Sequence, residues 1–111
     1  MPSEYIYHFT DLMFWEQQPE NDSYVSKTFS EEKFIHLSDY KHLQKSMELY
    51  ASDDEQIILK INSNLVKGKL IWEFAPSRNA EFPHLYAPLN KNSIVETFRT
   101  STKSIAGLII D

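Results

Sequence analysis

At 111 residues the chain is the size of one domain, residues 1–111, and long enough to bury a core without a metal or disulfide staple. It contains no cysteine, which excludes disulfides, cysteine zinc sites, thiol nucleophiles and redox pairs together. A net charge of -5, a pI near 5.3 and scattered basic residues speak against a broad nucleic-acid surface.

The opening "MPSEYIYHF" has no basic region leading into an apolar run, and no stretch of the chain is apolar enough to span a membrane, so a soluble, cytoplasmic protein is expected. "EYIYHF" at 4–9 reads as a first strand, with Ile6 and His8 on one face and Tyr5, Tyr7 and Phe9 on the other. Thr10 or Asp11 then caps a short helix carrying Leu12, Phe14 and Trp15. "QQPENDS" at 17–23 is a polar loop. "KFIHLS" at 33–38 is a second strand, placing Phe34, His36 and Ser38 on one face.

Ser38 or Asp39 caps the principal helix, "DYKHLQKSMELY", in which Tyr40, Leu43, Met47 and Tyr50 recur at three- and four-residue spacing while His42 falls off the stripe and faces solvent. "EQIILKIN" at 55–62 and "KLIWEF" at 69–74 are strands joined through Gly68; further strands follow near 84–87 and in "SIVETF" at 93–98. The tail "IAGLII" is apolar enough to pack. One main helix, a short N-terminal helix and strands clustered after them give an α+β domain with a split or largely antiparallel sheet.

Only two glycines occur, Gly68 and Gly107. A dinucleotide fingerprint and a P-loop both need several closely spaced glycines, so any nucleotide must bind by another architecture. No G-x-S-x-G turn exists to make Ser38 a nucleophile. His8, His36 and His84 all fall in strand-like segments with apolar or aromatic neighbours, and each partly buried imidazole needs its own polar partner. Glu73 points away from Trp72 and Phe74, toward solvent or toward a cleft in which it orients a histidine or a ligand hydroxyl. Trp72 reads as core, and Arg78 and Arg99 are candidate anion partners, although isolated arginines are more often solvated. A zinc or iron site built from the three histidines and Glu73 is chemically open, although no H-x-H or H-E-x-x-H spacing supports it.

Taken in order, "YIYHFT", "KFIHLS", "WEF" and "FPHLYAPL" resemble a small, largely bacterial family, domain of unknown function 952, over about Tyr5 to Phe98. Typical members read "YIYHIT", "GFIHLS" or "GFIHCS", "RWE" and "FPHLYGPL". The family is similar in fold to ADP-ribosyltransferases, which bind NAD in a cleft between two small sheets without a glycine-rich loop. "YHFT" and "FIHLS" also look like the "YHGT" and "VHLS" of tRNA 2'-phosphotransferases. The resemblance implies an ADP-ribosyltransferase-like domain that binds NAD, ADP-ribose or a related phosphorylated nucleotide, and transfers or hydrolyses ADP-ribose. His8 would contact the ribose on the nicotinamide side, His36 with Ser38 would lie on the neighbouring cleft strand, and in catalysis His8 and His36 would orient ribose hydroxyls or phosphate. Glu73 is the candidate for stabilising charge at the anomeric carbon, and His84 and Tyr86 join the site through their own family's pattern. NAD would be a substrate. The departures are Phe9 for a glycine, and Lys33 and Ala87 where the family has glycine in turns, which puts residues with a side chain where positive φ is expected. The alternatives are a non-catalytic ligand- or protein-binding module and a histidine-rich metal-dependent enzyme.

Overall fold

Strict alternation in the first strand decides the architecture. The computed structural model describes residues 4–101, so the "IAGLII" tail lies outside the described residues. Strand β1, Tyr5–Asp11, pairs antiparallel with β4, Gln56–Asn62, in the register Ile6↔Ile61, His8↔Leu59 and Thr10↔Ile57. β4 pairs on its other side with β8, Ile94–Thr100, giving a first sheet of order β1-β4-β8. Ile6, Ile57, Leu59 and Ile61 form one core on one face of this sheet. On the opposite face Tyr7 and Ile58 meet Leu43 and Met47, with Tyr5 and Phe9 packed alongside. The two faces of β1 are therefore the ones its alternation predicts, and β4, apolar in both phases, is buried on both sides.

The helix behind this second core is α3, Tyr40–Tyr50. Asp39 is its N-cap, accepting the His42 backbone N–H at 2.9 Å, while the Ser38 hydroxyl donates to the Asp39 carbonyl. The predicted apolar stripe holds at Leu43 and Met47, both fully buried, but Ser46 joins them and Tyr40 and Tyr50 are exposed. His42 is half-buried rather than solvent-facing: its Nδ1 lies 2.8 Å from an Asp39 oxygen and its ring packs on Phe82. The short helix α1, Leu12–Glu16, starts where expected, yet Asp11 makes no cap bond, because its carboxylate is drawn instead to Lys27, Ser52 and Gln56.

A ribbon of β2, Ser23–Tyr24, and β7, Leu89–Asn90, interrupts the polar loop, and a turn of helix, α2, Phe29–Glu32, follows it. Neither had a periodic signal. Lys33 ends α2 at φ 70°, the left-handed conformation expected at this position, whereas Ala87 is not among the described residues with positive φ. The second sheet has the order β3-β6-β5, from Ile35–His36, Ala80–Leu85 and Leu70–Ala75. β3 is shorter than "KFIHLS" suggests: Lys33 is in the left-handed turn, and Ser38 has left β6 to pair with Tyr7 of β1. Two reciprocal main-chain bonds of 2.7 Å between Tyr7 and Ser38 join the two sheets. β6 covers Ala80–Leu85 rather than 84–87, because beyond Leu85 the Tyr86 N–H bonds to the Lys69 carbonyl and the chain bends at Tyr86 and Ala87 before β7. Ile35 and Leu85 close the first core together with Leu70 and Trp72, so Trp72 is core as predicted.

Candidate functional site

The face of the second sheet turned away from that core carries the polar residues. His36 is directly opposite His84 in the β3–β6 register, and Ile71 is opposite His84 in β5–β6, which puts Glu73 diagonally beside His84 on the same face. The imidazole rings of His36 and His84 meet edge to face with centroids 5.1 Å apart. Phe34 stacks on His84 at 4.3 Å and closes over Tyr86 at 5.2 Å.

Glu73 is the partner of two groups at once. Its Oε1 accepts the His84 Nδ1–H at 2.7 Å and the Tyr86 hydroxyl at 2.6 Å. These bonds hold the Glu73 carboxyl below its usual value, Tyr86 contributing most, and the same carboxylate pushes the Tyr86 hydroxyl up. A carboxylate on Nδ1 fixes the tautomer, leaving His84 Nε2 as an acceptor. His36 has a different carboxylate: Nε2 lies 3.0 Å from both oxygens of Glu32, one turn upstream across α2 and Lys33.

His8 is buried, and both of its nitrogens are engaged. Nδ1 donates to the His36 carbonyl at 2.7 Å, and Nε2 accepts the Tyr24 hydroxyl at 2.8 Å. Burial, partly offset by the bond to His36, pulls its pKa down from 6.5 to about 4. The imidazole is therefore neutral near pH 7. Burial likewise pushes the Tyr24 hydroxyl far above the usual tyrosine value, against a bond with Thr10. Tyr24 is enclosed by Phe14 and Trp15, which explains why it is fully buried in a two-residue strand without a sequence signature.

Beside the Tyr7–Ser38 junction lies a cleft of about 630 Å³. Its walls come from both sheets: His8, Phe9, Thr10 and Asp11 from β1, His36 and Ser38 from the β3 segment, and Ala75, Phe82 and His84 from β5 and β6. Of the residues singled out from sequence, His8, His36, Ser38 and His84 line it. Glu73 and Tyr86 do not; both stand behind His84. Asp11 is a hub on the cleft wall, accepting from Ser52 and Gln56 at 2.6 Å each and from Lys27. Burial favours the protonated form of its carboxyl, but these three donors outweigh that and hold it below the usual value. Arg78, one of the two candidate anion partners, reaches the cleft from the turn at 76–79 between β5 and β6. Its Nη1 donates to Ser46 Oγ at 2.9 Å, and the guanidinium lies 4.7 Å from the Phe82 ring centroid. Its Nη2 and the Ser26 Oγ are buried without a hydrogen-bond partner. Arg78 meets Ser46 across thirty-two positions of chain, so no local pattern announces it.

Among the described residues no group of three or more histidine, aspartate and glutamate side chains is placed to hold a metal ion, so the histidine-rich metal alternative has no ligand set there. Among the described residues no helix is long and apolar enough to cross a membrane.

Two solved structures of protein CC0527 from Caulobacter crescentus share this fold. The X-ray structure superposes with a TM-score of 0.79 at 20% identity, covering 93% of this chain and 96% of that one. The solution NMR structure gives 0.70 at 22% identity, covering 86% and 84%. No curated protein matches the sequence. The model of a protein family of unknown function, DUF952, matches residues 10–97, and with most of the chain under that match the protein belongs to this family.

Proposed function

We propose that the cleft binds NAD, ADP-ribose or a related phosphorylated nucleotide, and that the His84–Glu73 pair supplies its chemistry. The observation that carries this reading is the geometry of His84, with Nδ1 fixed at 2.7 Å from the Glu73 carboxylate on the wall of a cleft about 630 Å³ in volume. That volume is within the roughly 300–1,000 Å³ usual for small-molecule sites. The cleft's place between two three-stranded sheets matches the architecture expected of an ADP-ribosyltransferase-like domain, and needs no glycine-rich loop.

In this reading His84 Nε2 accepts a proton from a ribose hydroxyl or an attacking water, and Glu73 acts through it by fixing the tautomer and stabilising the imidazolium that forms. Tyr86 holds Glu73 from the far side. His36 and Ser38 shape the adjoining wall, and His8 positions that strand through the His36 carbonyl. Hydrolysis would break the bond between the anomeric carbon and nicotinamide and make a new bond to the water oxygen; transfer would use an acceptor hydroxyl instead.

Titration of isotope-labelled protein with NAD, ADP-ribose and a 2'-phosphorylated nucleotide tests the reading. Amide shifts concentrated around His8, His36 and His84 are expected, and their absence at millimolar ligand would overturn it. A second reading, binding without turnover, is favoured by one observation: both His8 nitrogens are already engaged, leaving none to orient a ribose. Nicotinamide release from NAD that Glu73→Gln diminishes separates the first reading from the second.

A further inference from the structure

The two described residues with buried side-chain polar atoms lacking a partner, Ser26 and Arg78, both line the same cleft. A buried donor without an acceptor is costly, and a charged one more so. The cost is not relieved by a neighbouring carboxylate, although the chain carries 16 acidic residues. The two carboxylates of the cleft wall are taken, Asp11 by Lys27 and Glu32 by His36. None of the ion pairs among the described residues involves Arg78.

Arg78 is also held rather than loose. Ser46, itself buried on α3, fixes Nη1 at 2.9 Å. The Phe82 ring lies 4.7 Å from the guanidinium carbon, and Tyr50 lies 5.9 Å from it. One nitrogen is thus anchored to the protein and the cation is stacked on an aromatic surface, while Nη2 remains to donate. A fork fixed in this way suits an oxyanion, which supplies the acceptors and the charge together.

We infer that Arg78, held by Ser46, is the anion anchor of this cleft and takes a phosphate group of its ligand. The choice of phosphate over carboxylate rests on the nucleotide reading above. Arg78 engages the phosphate, while the histidine rim faces the sugar.

The test is to titrate pyrophosphate, acetate and ADP-ribose into the wild type, Arg78→Gln and Ser46→Ala, following amides by NMR, whose spectra also report whether each variant is folded. Pyrophosphate and ADP-ribose are expected to shift residues around Ser46 and Arg78 in the wild type. Arg78→Gln should weaken both by about tenfold or more, the loss of one charge-assisted contact. Ser46→Ala, which keeps the charge and frees the fork, should weaken both by about threefold. If Arg78→Gln does not fold, Ser46→Ala alone decides, and unchanged affinity overturns the anchor. ADP-ribose binding that is indifferent to both variants would overturn the anchor and leave the nucleotide reading standing. Pyrophosphate binding that depends on Arg78, without ADP-ribose binding, would retain the anchor and remove the nucleotide reading. Acetate competing as well as pyrophosphate would overturn the assignment to phosphate.

Discussion

Acid should destabilise this protein through one histidine before its carboxylates respond. His8 titrates at about 4 when folded and near 6.5 when exposed, because burial disfavours the imidazolium. The unfolded chain therefore binds more protons than the folded one between these values. Its contribution is intact above about pH 6.5 and is lost as the pH falls toward about 4. The full gap amounts to about 3 kcal/mol, and by about pH 5.5 about 1 kcal/mol has gone. Asp11, Glu32 and Glu73, all held below their usual values, have stability to lose only as the pH falls through the ordinary carboxylate range at about 4, so the upper part of the window belongs to His8. The assay is urea unfolding followed by tryptophan fluorescence from pH 7.5 to about 4.5, comparing the slope of stability against pH in the wild type with that in His8→Gln. A second variant, His8→Asn, guards against failure of the first to fold. Equal slopes in variant and wild type, or an NMR titration of the His8 ring near 6.5 in the folded protein, would refute the reasoning.

Gly68→Ala should cost about 1–3 kcal/mol, because the added methyl meets the Ala87 Cβ at 2.5 Å and Leu85 Cδ1 at 3.1 Å; Ala87→Gly should restore most of it, and additive losses in the double-mutant cycle would contradict this. Asp39→Ala removes the acceptor of the His42 N–H and should lower stability by about 1 kcal/mol in urea unfolding. Glu73→Gln should release the His84 ring from a single tautomer, read as a change in its side-chain nitrogen shifts, while thermal stability changes little because the carboxylate is at the surface.

Much of the fold was legible because its strands are written in alternation. Tyr5 to Phe9 separate cleanly into the two faces that enter the two cores, and Leu43 with Met47 mark the helix that covers one of them. The β2–β7 ribbon and α2 were not legible: each is too short for a period to develop, and Tyr24 is buried through contacts with His8 and Trp15 rather than through its own neighbours in sequence. The polar residues divide in the same way. His36, His84 and Glu73 share a face because strand pairing brings them together, and their segments were recognisable as strands. Arg78 was a candidate anion partner by residue type alone, and its place in the cleft was not legible because its anchors, Ser46 and Phe82, belong to a helix and a strand whose approach no local spacing encodes. Asp11 looked like a helix cap for the same reason: its competing donors lie 16 to 45 positions away.

Pro83 has a topological consequence. It stands in β6 opposite Leu37, just past the end of β3, and its carbonyl accepts the Leu37 N–H at 3.0 Å. Having no N–H, it cannot return the second bond of that rung. The Leu37 carbonyl receives nothing from β6, and at the next residue the strand changes partner, Ser38 exchanging both its bonds with Tyr7. A residue able to donate there would let the pairing zip onward and draw Ser38 away from β1. The imino acid next to His84 thus works as a stop in the zipper, and the seam between the sheets, with the cleft beside it, exists where the zipping halts.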